Sequence, residues 1–262
     1  MKYIDAHSHW TDVRLNQDES TIKLSLELCA EKNIEFFLQG GVNPDEWLRQ
    51  MKLHEKYPQN FGLCFGLHPY FVSEHTSENC EKALDQLAQL LPQAMALGEA
   101  GLDFRPHIMK ESEGLQIEIF ENQIELAKVF KKPMVLHLVQ CHDKAIQIFD
   151  IWGVPSTTGF VHSFNGSYEV AKKYVDRGFL ISVGGAITFD KNKKLQDCVK
   201  KLGFENLLIE SDSPDQAPAD WQDLNDSTSI FRVAEAIALL KNTNAFEVLE
   251  VTSSNFKRLF RL

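Results

Sequence analysis

Short apolar runs spread along the whole chain end, one after another, in a residue able to hold a metal ion. The first ends in His7-Ser8-His9, behind Tyr3, Ile4 and Ala6. Side chains at i and i+2 of a strand share a face, so the two imidazoles are expected to aim at one point. The same context recurs at Glu99 (Met-Ala-Leu-Gly-Glu), His137 (Met-Val-Leu-His), His162 (Gly-Phe-Val-His) and Asp212 (Leu-Leu-Ile-Glu-Ser-Asp). A fold that uses all of these must bring the ends of distant strands together.

Strand-like runs lie at 3–6, 35–39, 61–66, 95–98, 134–138, 159–163, 179–183 and 207–210. They are apolar throughout rather than alternating, which predicts parallel strands covered on both faces. Stretches of helical periodicity separate them, at 81–91, 116–130 and 195–202, and helices at 228–240 and 245–261 close the chain. Eight strands alternating with helices, with no linker or composition break, predict an α/β fold. The expected form is a single (β/α)8 TIM barrel spanning 1–262. A doubly wound sheet is the competing architecture, but only a closed ring gathers the ends of strands one, four, five, six and eight.

The chain has 262 residues and a formal charge of −10, so it gains no general attraction to nucleic acid or anionic membrane. A polyanionic substrate would have to be held locally. Cys29, Cys64, Cys80, Cys141 and Cys198 are scattered, without a CxxC, as in reduced thiols. No signal-peptide core opens the sequence and no run is long enough to span a bilayer, so the expectation is a soluble, cytoplasmic protein, read as a monomer. Paired lysines such as Lys193-Lys194 read as solvated surface.

Four imidazoles and two carboxylates exceed the needs of one tetrahedral site and suit two divalent cations. His7, His9 and Asp212 form the expected first site, His137 and His162 the second, with Glu99 as the bridging carboxylate. Asp212 is the candidate general base. Two cations, two carboxylates and one hydroxide would leave about +1, which favours an anionic ester. Mixed ligands of this kind suit Zn²⁺, Mn²⁺, Fe²⁺ or Ni²⁺, with Mg²⁺ less typical. His68, in Gly-Leu-His-Pro, is the candidate for protonating or hydrogen-bonding a leaving oxygen, and Arg105 is the one evident local cation for substrate. Asp103 either orients a ligand or holds its loop. His54, His75, His107 and His142 read as surface residues.

Asp5-Ala6-His7-Ser8-His9, Gly66-Leu67-His68-Pro69, Gly98-Glu99-Ala100-Gly101-Leu102-Asp103, Val161-His162-Ser163-Phe164-Asn165-Gly166-Ser167 and Glu210-Ser211-Asp212-Ser213-Pro214 resemble the TatD family of metal-dependent deoxyribonucleases. The stretch 179–189 and the terminal Asn-Phe-Lys-Arg-Leu-Phe resemble it as well. The resemblance implies a TIM barrel of the metallo-dependent hydrolase group, two divalent cations and hydrolysis of phosphodiester bonds in DNA. By motif match, it assigns His7, His9, Glu99, His137, His162 and Asp212 to the metal and His68 to the substrate side. Two positions depart from the family pattern. Val139 stands where many members have an arginine, and 221–226 is acidic where many have a basic loop. Two lost phosphate contacts would cost about 1.5–3 kcal/mol each. The alternative function is hydrolysis of a small ester, amide or lactone.

Overall fold

The computed structural model describes residues 2–15 and 18–262. Its strands are β1 (Tyr3–Ser8), β2 (Ile34–Gln39), β3 (Phe61–Gly62), β4 (Cys64–Phe65), β5 (Ala96–Asp103), β6 (Met134–Val139), β7 (Gly159–Val161), β8 (Leu180–Val183) and β9 (Leu207–Ile209). All pair in parallel, in the orders β1-β2-β3 and β4 through β9. β3 and β4 are the two halves of the predicted third strand, parted at Leu63, whose carbonyl accepts from the Met95 backbone N–H at 2.8 Å. The ring is joined at the other seam by backbone bonds from Asp212 N to His7 O (3.0 Å) and from His9 N to Ser213 O (2.8 Å). The TIM barrel read from the sequence is therefore the architecture observed.

Helices follow the strands: α1 (Glu19–Glu31), α2 (Pro44–Lys56), α3 (Pro69–Glu74), α4 (Ser77–Leu90), α5 (Pro106–Met109), α6 (Glu113–Val129), α7 (His142–Trp152), α8 (Tyr168–Val175), α9 (Lys193–Lys201), α10 (Ile230–Lys241) and α11 (Ala245–Phe260). Side-chain oxygens cap several of them locally, as Asn43 does for α2 by accepting from Glu46 N at 3.0 Å. Periodicity found α4, α6, α9, α10 and α11 within a few residues. It gives none of α1, α2, α3, α5, α7 and α8; in α1, Ile22, Leu24, Leu26 and Leu28 alternate like a strand.

Two apolar layers result. The outer one packs helices against strand residues such as Phe37, Leu97, Ala100, Leu136 and Ile181. The inner one fills the barrel with Ile4, Ala6, Leu38, Cys64, Ala96, Val135, Phe160, Leu180 and Leu208, and Phe256 of α11 closes its lower end.

Simple alternation along β1 would place His7 on the outer face with Asp5. Between Asp5 and Ser8, however, three residues of β1 oppose two of β2, a bulge that turns His7 inward. The same irregularity falls between Leu97 and Ala100 on β5 and turns Glu99 inward. On β6 and β7 alternation suffices: Val135 and Phe160 lie inside, and His137 and His162 follow on the same face; Asp212, three residues past β9 and left-handed at φ 52°, is placed by its loop.

Candidate metal centre

The mouth at the C-terminal ends of the strands gathers the six side chains read from the sequence, with His68 beside them. Glu99 lies at their centre. Its Oε2 lies 2.9 Å from His162 Nε2 and 3.6 Å from His137 Nδ1, while Oε1 lies 3.3 Å from Nε2 of both His7 and His9. Asp212 Oδ1 is 3.4 Å from His9 Nε2 and 3.6 Å from His7 Nε2. Donor atoms lie within 4.8 Å of one another in three groups: His7–His9–Asp212, His7–Glu99–His162 and His68–Glu99–His137. Glu99 belongs to two of them. His162 thus approaches His7 as well as His137, whose Nδ1 is 3.1 Å from His162 Nε2.

The donors are buried with unmet polar capacity. Both ring nitrogens of His7, Oε1 of Glu99 and Nδ1 of His162 have no hydrogen-bond partner. Unpaired polar atoms in a dry site are costly, and divalent cations would satisfy these. The chemistry of the set, mixed imidazole and carboxylate, fits such ions.

Carboxylates stand behind the imidazoles. Asp103 Oδ2 lies 3.2 Å from His137 Nε2, Glu46 Oε1 lies 3.8 Å from His9 Nδ1, and Glu210 Oε1 lies 3.8 Å from His162 Nδ1. Asp5, behind β1, accepts from Ser211 N at 2.9 Å and Ser211 Oγ at 2.6 Å, fixing the segment that carries Asp212. Asp103 both faces a histidine and holds its loop by accepting from Arg105 N at 3.0 Å. Glu46 gave no sequence signal. Glu210 did: it is a charged residue at the end of an apolar run, on the face of Asp212.

His68 is in a defined tautomer. Its Nδ1 accepts from the Tyr70 backbone N–H at 3.0 Å, so the ring proton sits on Nε2, 3.8 Å from Glu99 Oε2. Burial, then the neighbouring His137, pushes its pKa well below the usual value. A neutral His68 is a hydrogen-bond donor toward the mouth.

Burial lowers the His7 pKa. His9 is also desolvated, but the neighbouring Asp212 and Glu46 carboxylates outweigh this and hold it well above its ordinary value. His162 behaves likewise beside Glu99 and reaches about 9. Burial opposes ionisation of Glu99 and Asp212 too. The surrounding histidines win, His162 and His7 at Glu99 and the His9 hydrogen bond at Asp212, and both carboxyls stay below the usual range. Glu210, further from compensation, is pushed by burial up to about 8.

Above the donors opens a cleft of about 1070 Å³. Arg105 lines it, but its guanidinium is committed to Asp103, at 3.0 Å from Nε and 2.5 Å from Nη2, and to the Tyr70 hydroxyl. Arg105 is not the one local cation expected from the sequence, since Arg14 and Arg49 line the cleft as well. Arg14 is paired with Asp12 and Asp215, whereas no carboxylate lies within 4.0 Å of Arg49 among the described residues. Val139 forms part of the wall; none of residues 221–226 does. The acidic segment serves structure instead, with Asn225 Nδ2 donating to Ser211 O at 2.7 Å and to Asp215 O at 2.5 Å.

Two of the histidines read as surface are not. His54 Nδ1 lies 2.6 Å from Phe61 O, and His142 Nδ1 lies 3.1 Å from the Tyr174 hydroxyl; both rings are half-buried, His54 against the β3 backbone and His142 against the Phe164 and Tyr174 rings. His75 and His107 are exposed.

A parallel barrel with buried imidazoles and carboxylates at the C-terminal ends of its strands defines a metal-dependent hydrolase. Comparison with known proteins makes this specific. Residues 4–261 match the family described as TatD related DNase. An uncharacterized metal-dependent hydrolase of Buchnera aphidicola is 30% identical, with 100% of both chains covered. The uncharacterized metal-dependent hydrolase YabD of Bacillus subtilis is 30% identical over 98% of each. The crystal structure of YjjV, a TatD homolog from Escherichia coli, superposes with a TM-score of 0.87 at 28% identity, covering 99% of this chain and 98% of that one. The chain belongs to the TatD family and is a metal-dependent hydrolase.

Proposed function

We propose that the protein is a deoxyribonuclease that hydrolyses phosphodiester bonds with two divalent cations. The observation that carries this reading is Glu99 under an open cleft, with Oε1 facing His7 and His9 and Oε2 facing His137 and His162. His7, His9 and Asp212 would hold one cation and His137 and His162 the other, with Glu99 common to both. Zn²⁺, Mn²⁺, Fe²⁺, Ni²⁺ and Mg²⁺ are the candidates. Bound there, the cations supply Lewis acidity, which polarises the phosphoryl group and makes water acidic near neutral pH.

The chain's own groups then have distinct tasks. Water adds to phosphorus and the P–O ester bond breaks. Asp212, ionised and held by Gln216 Nε2 donating to its Oδ2 at 2.6 Å, accepts the proton of water. His68 Nε2–H hydrogen-bonds the departing oxygen. Arg49, and Arg105 through Nη1, the guanidinium nitrogen bonded to neither Asp103 nor Tyr70, meet non-bridging phosphate oxygens along the cleft.

A second reading, hydrolysis of a small ester, amide or lactone, is favoured by one feature. Leu138 and Val139 give the cleft an apolar wall where an arginine would have served phosphate. One assay separates the two. Metal-loaded protein is expected to degrade single-stranded DNA, to stop in EDTA and to lose activity in Glu99→Ala. Intact DNA, with turnover of neutral carbonyl esters, would contradict the nuclease reading.

A further inference from the structure

A second depression, of about 430 Å³, adjoins the metal cleft on the same end of the barrel. Asn165, Phe189, Lys191, Asn192 and Gln216 line it, and Gln216 lines the metal cleft as well. Its walls are the loops that follow β7, β8 and β9; β7 leads into His162, and β9 into Glu210 and Asp212.

These walls are fixed. Asn192 Nδ2 donates to Asn165 Oδ1 and to Ala186 O, both at 3.0 Å. Thr188 Oγ1 accepts from Ala219 N at 2.7 Å, tying the β8 loop to the β9 loop. The Phe189 carbonyl accepts from Asn192 N at 2.9 Å and from Gln196 Nε2 at 3.2 Å. Gly185 lies against the Gln216 and Ala217 backbone too closely for a side chain.

On this frame the Phe189 ring is 38% exposed and packs against no other ring among the described residues. Two residues on, the exposed Lys191 has no carboxylate within 4.0 Å among the described residues. Lys193 and Lys194 follow, against the single acid Asp190. A fixed aromatic face and an unpaired ammonium, in a depression that adjoins a phosphodiester site, are the chemistry that holds single-stranded nucleic acid.

We propose that this depression is a subsite for a nucleotide flanking the scissile bond of a single strand. Phe189 stacks an unpaired base, Lys191 meets a backbone phosphate, and Gln216 stands at the passage to Asp212. The proposal rests on the phosphodiesterase reading above and adds a length and strandedness requirement to it.

The test compares kcat/KM for dithymidylate, octathymidylate and an octamer duplex, all with the metal-loaded protein. The wild type is expected to prefer the octamer over the dinucleotide and the single strand over the duplex. Phe189→Ala is expected to lower the octamer-to-dinucleotide ratio about tenfold, the scale of one lost base–aromatic stack. Lys191→Ala is expected to flatten the dependence of log kcat/KM for the octamer on log salt by about 0.7, one single-strand phosphate contact. Dinucleotide and octamer cleaved equally well, or a ratio and salt slope unmoved by both variants, would overturn the subsite while leaving the nuclease reading standing. A wild type inactive on every phosphodiester would overturn that reading, and the subsite with it.

Discussion

Glu99 Oε2 lies 2.9 Å from Nε2 of His162 although 63 residues of sequence separate them, as the numbering shows. The β5 bulge that turns Glu99 inward and the β5-β6-β7 pairing that sets His162 two strands away produce that distance. With burial working against its charge, Glu99 stays ionised only because imidazoles, or cations in their place, surround it. Glu99→Ala is expected to fold, since the residue packs no apolar surface, yet to lose bound metal and fall to background hydrolysis. Circular dichroism with metal analysis checks this. A variant that keeps a full metal complement would contradict the sharing of Glu99.

Gly40 carries the His7 and His9 rings. A Cβ there would lie 2.7 Å from His7 Cε1 and 2.8 Å from His7 Nε2, with His9 Cε1 closer still. Gly40→Ala is therefore expected to displace both rings, weakening metal binding about ten- to hundredfold. Its loss of stability should be about 1–3 kcal/mol, as for modest overpacking. Titration of metal into the metal-free variant, beside a denaturant curve, measures both.

Asp103 acts on His137 through the 3.2 Å contact to Nε2. Asp103→Asn keeps the size but removes the charge that orients the ring. Metal affinity and activity are expected to fall about ten- to hundredfold, the usual range for a carboxylate behind a ligating histidine. Because Arg105 is bound to the same carboxylate, its guanidinium would also be released into the cleft. Isothermal titration with the cation and a steady-state assay report the two effects separately.

The metal-free protein is expected to lose stability as pH rises above neutral. Burial raises the Asp5 pKa to about 6 and that of Glu210 to about 8, and His162 stands at about 9. Each group binds its proton more tightly folded than unfolded. Each therefore contributes stability that is present below its unfolded value and lost as pH rises through its folded value. In EDTA the Tm is expected to fall between pH 6 and pH 9. With a divalent cation the trend reverses, because metal binds the deprotonated ligands. Thermal melts across this range in both conditions give the comparison. A metal-free Tm that climbs over the window would refute these shifts.

Much of this was legible in the residues. The apolar run at 134–138 carries His137 where alternation and position agree with the structure, and the run at 207–210 leads into Asp212, where position alone agrees. His7 and Glu99 were recognised by residue type alone, since alternation from Ile4 and Ala96 would have sent both outward. A bulge is a relation between two strands, and one strand's sequence does not announce it. Glu46 and Arg49 lie on α2, and Arg14 on the loop before α1, so only the folded chain brings them to the mouth. The acidic 221–226 segment misled in the opposite direction: its charge counted against phosphate until the structure showed it outside the cleft.

The most direct measurement is anomalous diffraction from crystals grown with Mn²⁺ or Zn²⁺. The expected result is two peaks flanking Glu99, one against His7, His9 and Asp212, the other against His137 and His162. Density with no anomalous peak among these six side chains, at saturating metal, would contradict the paired-cation centre.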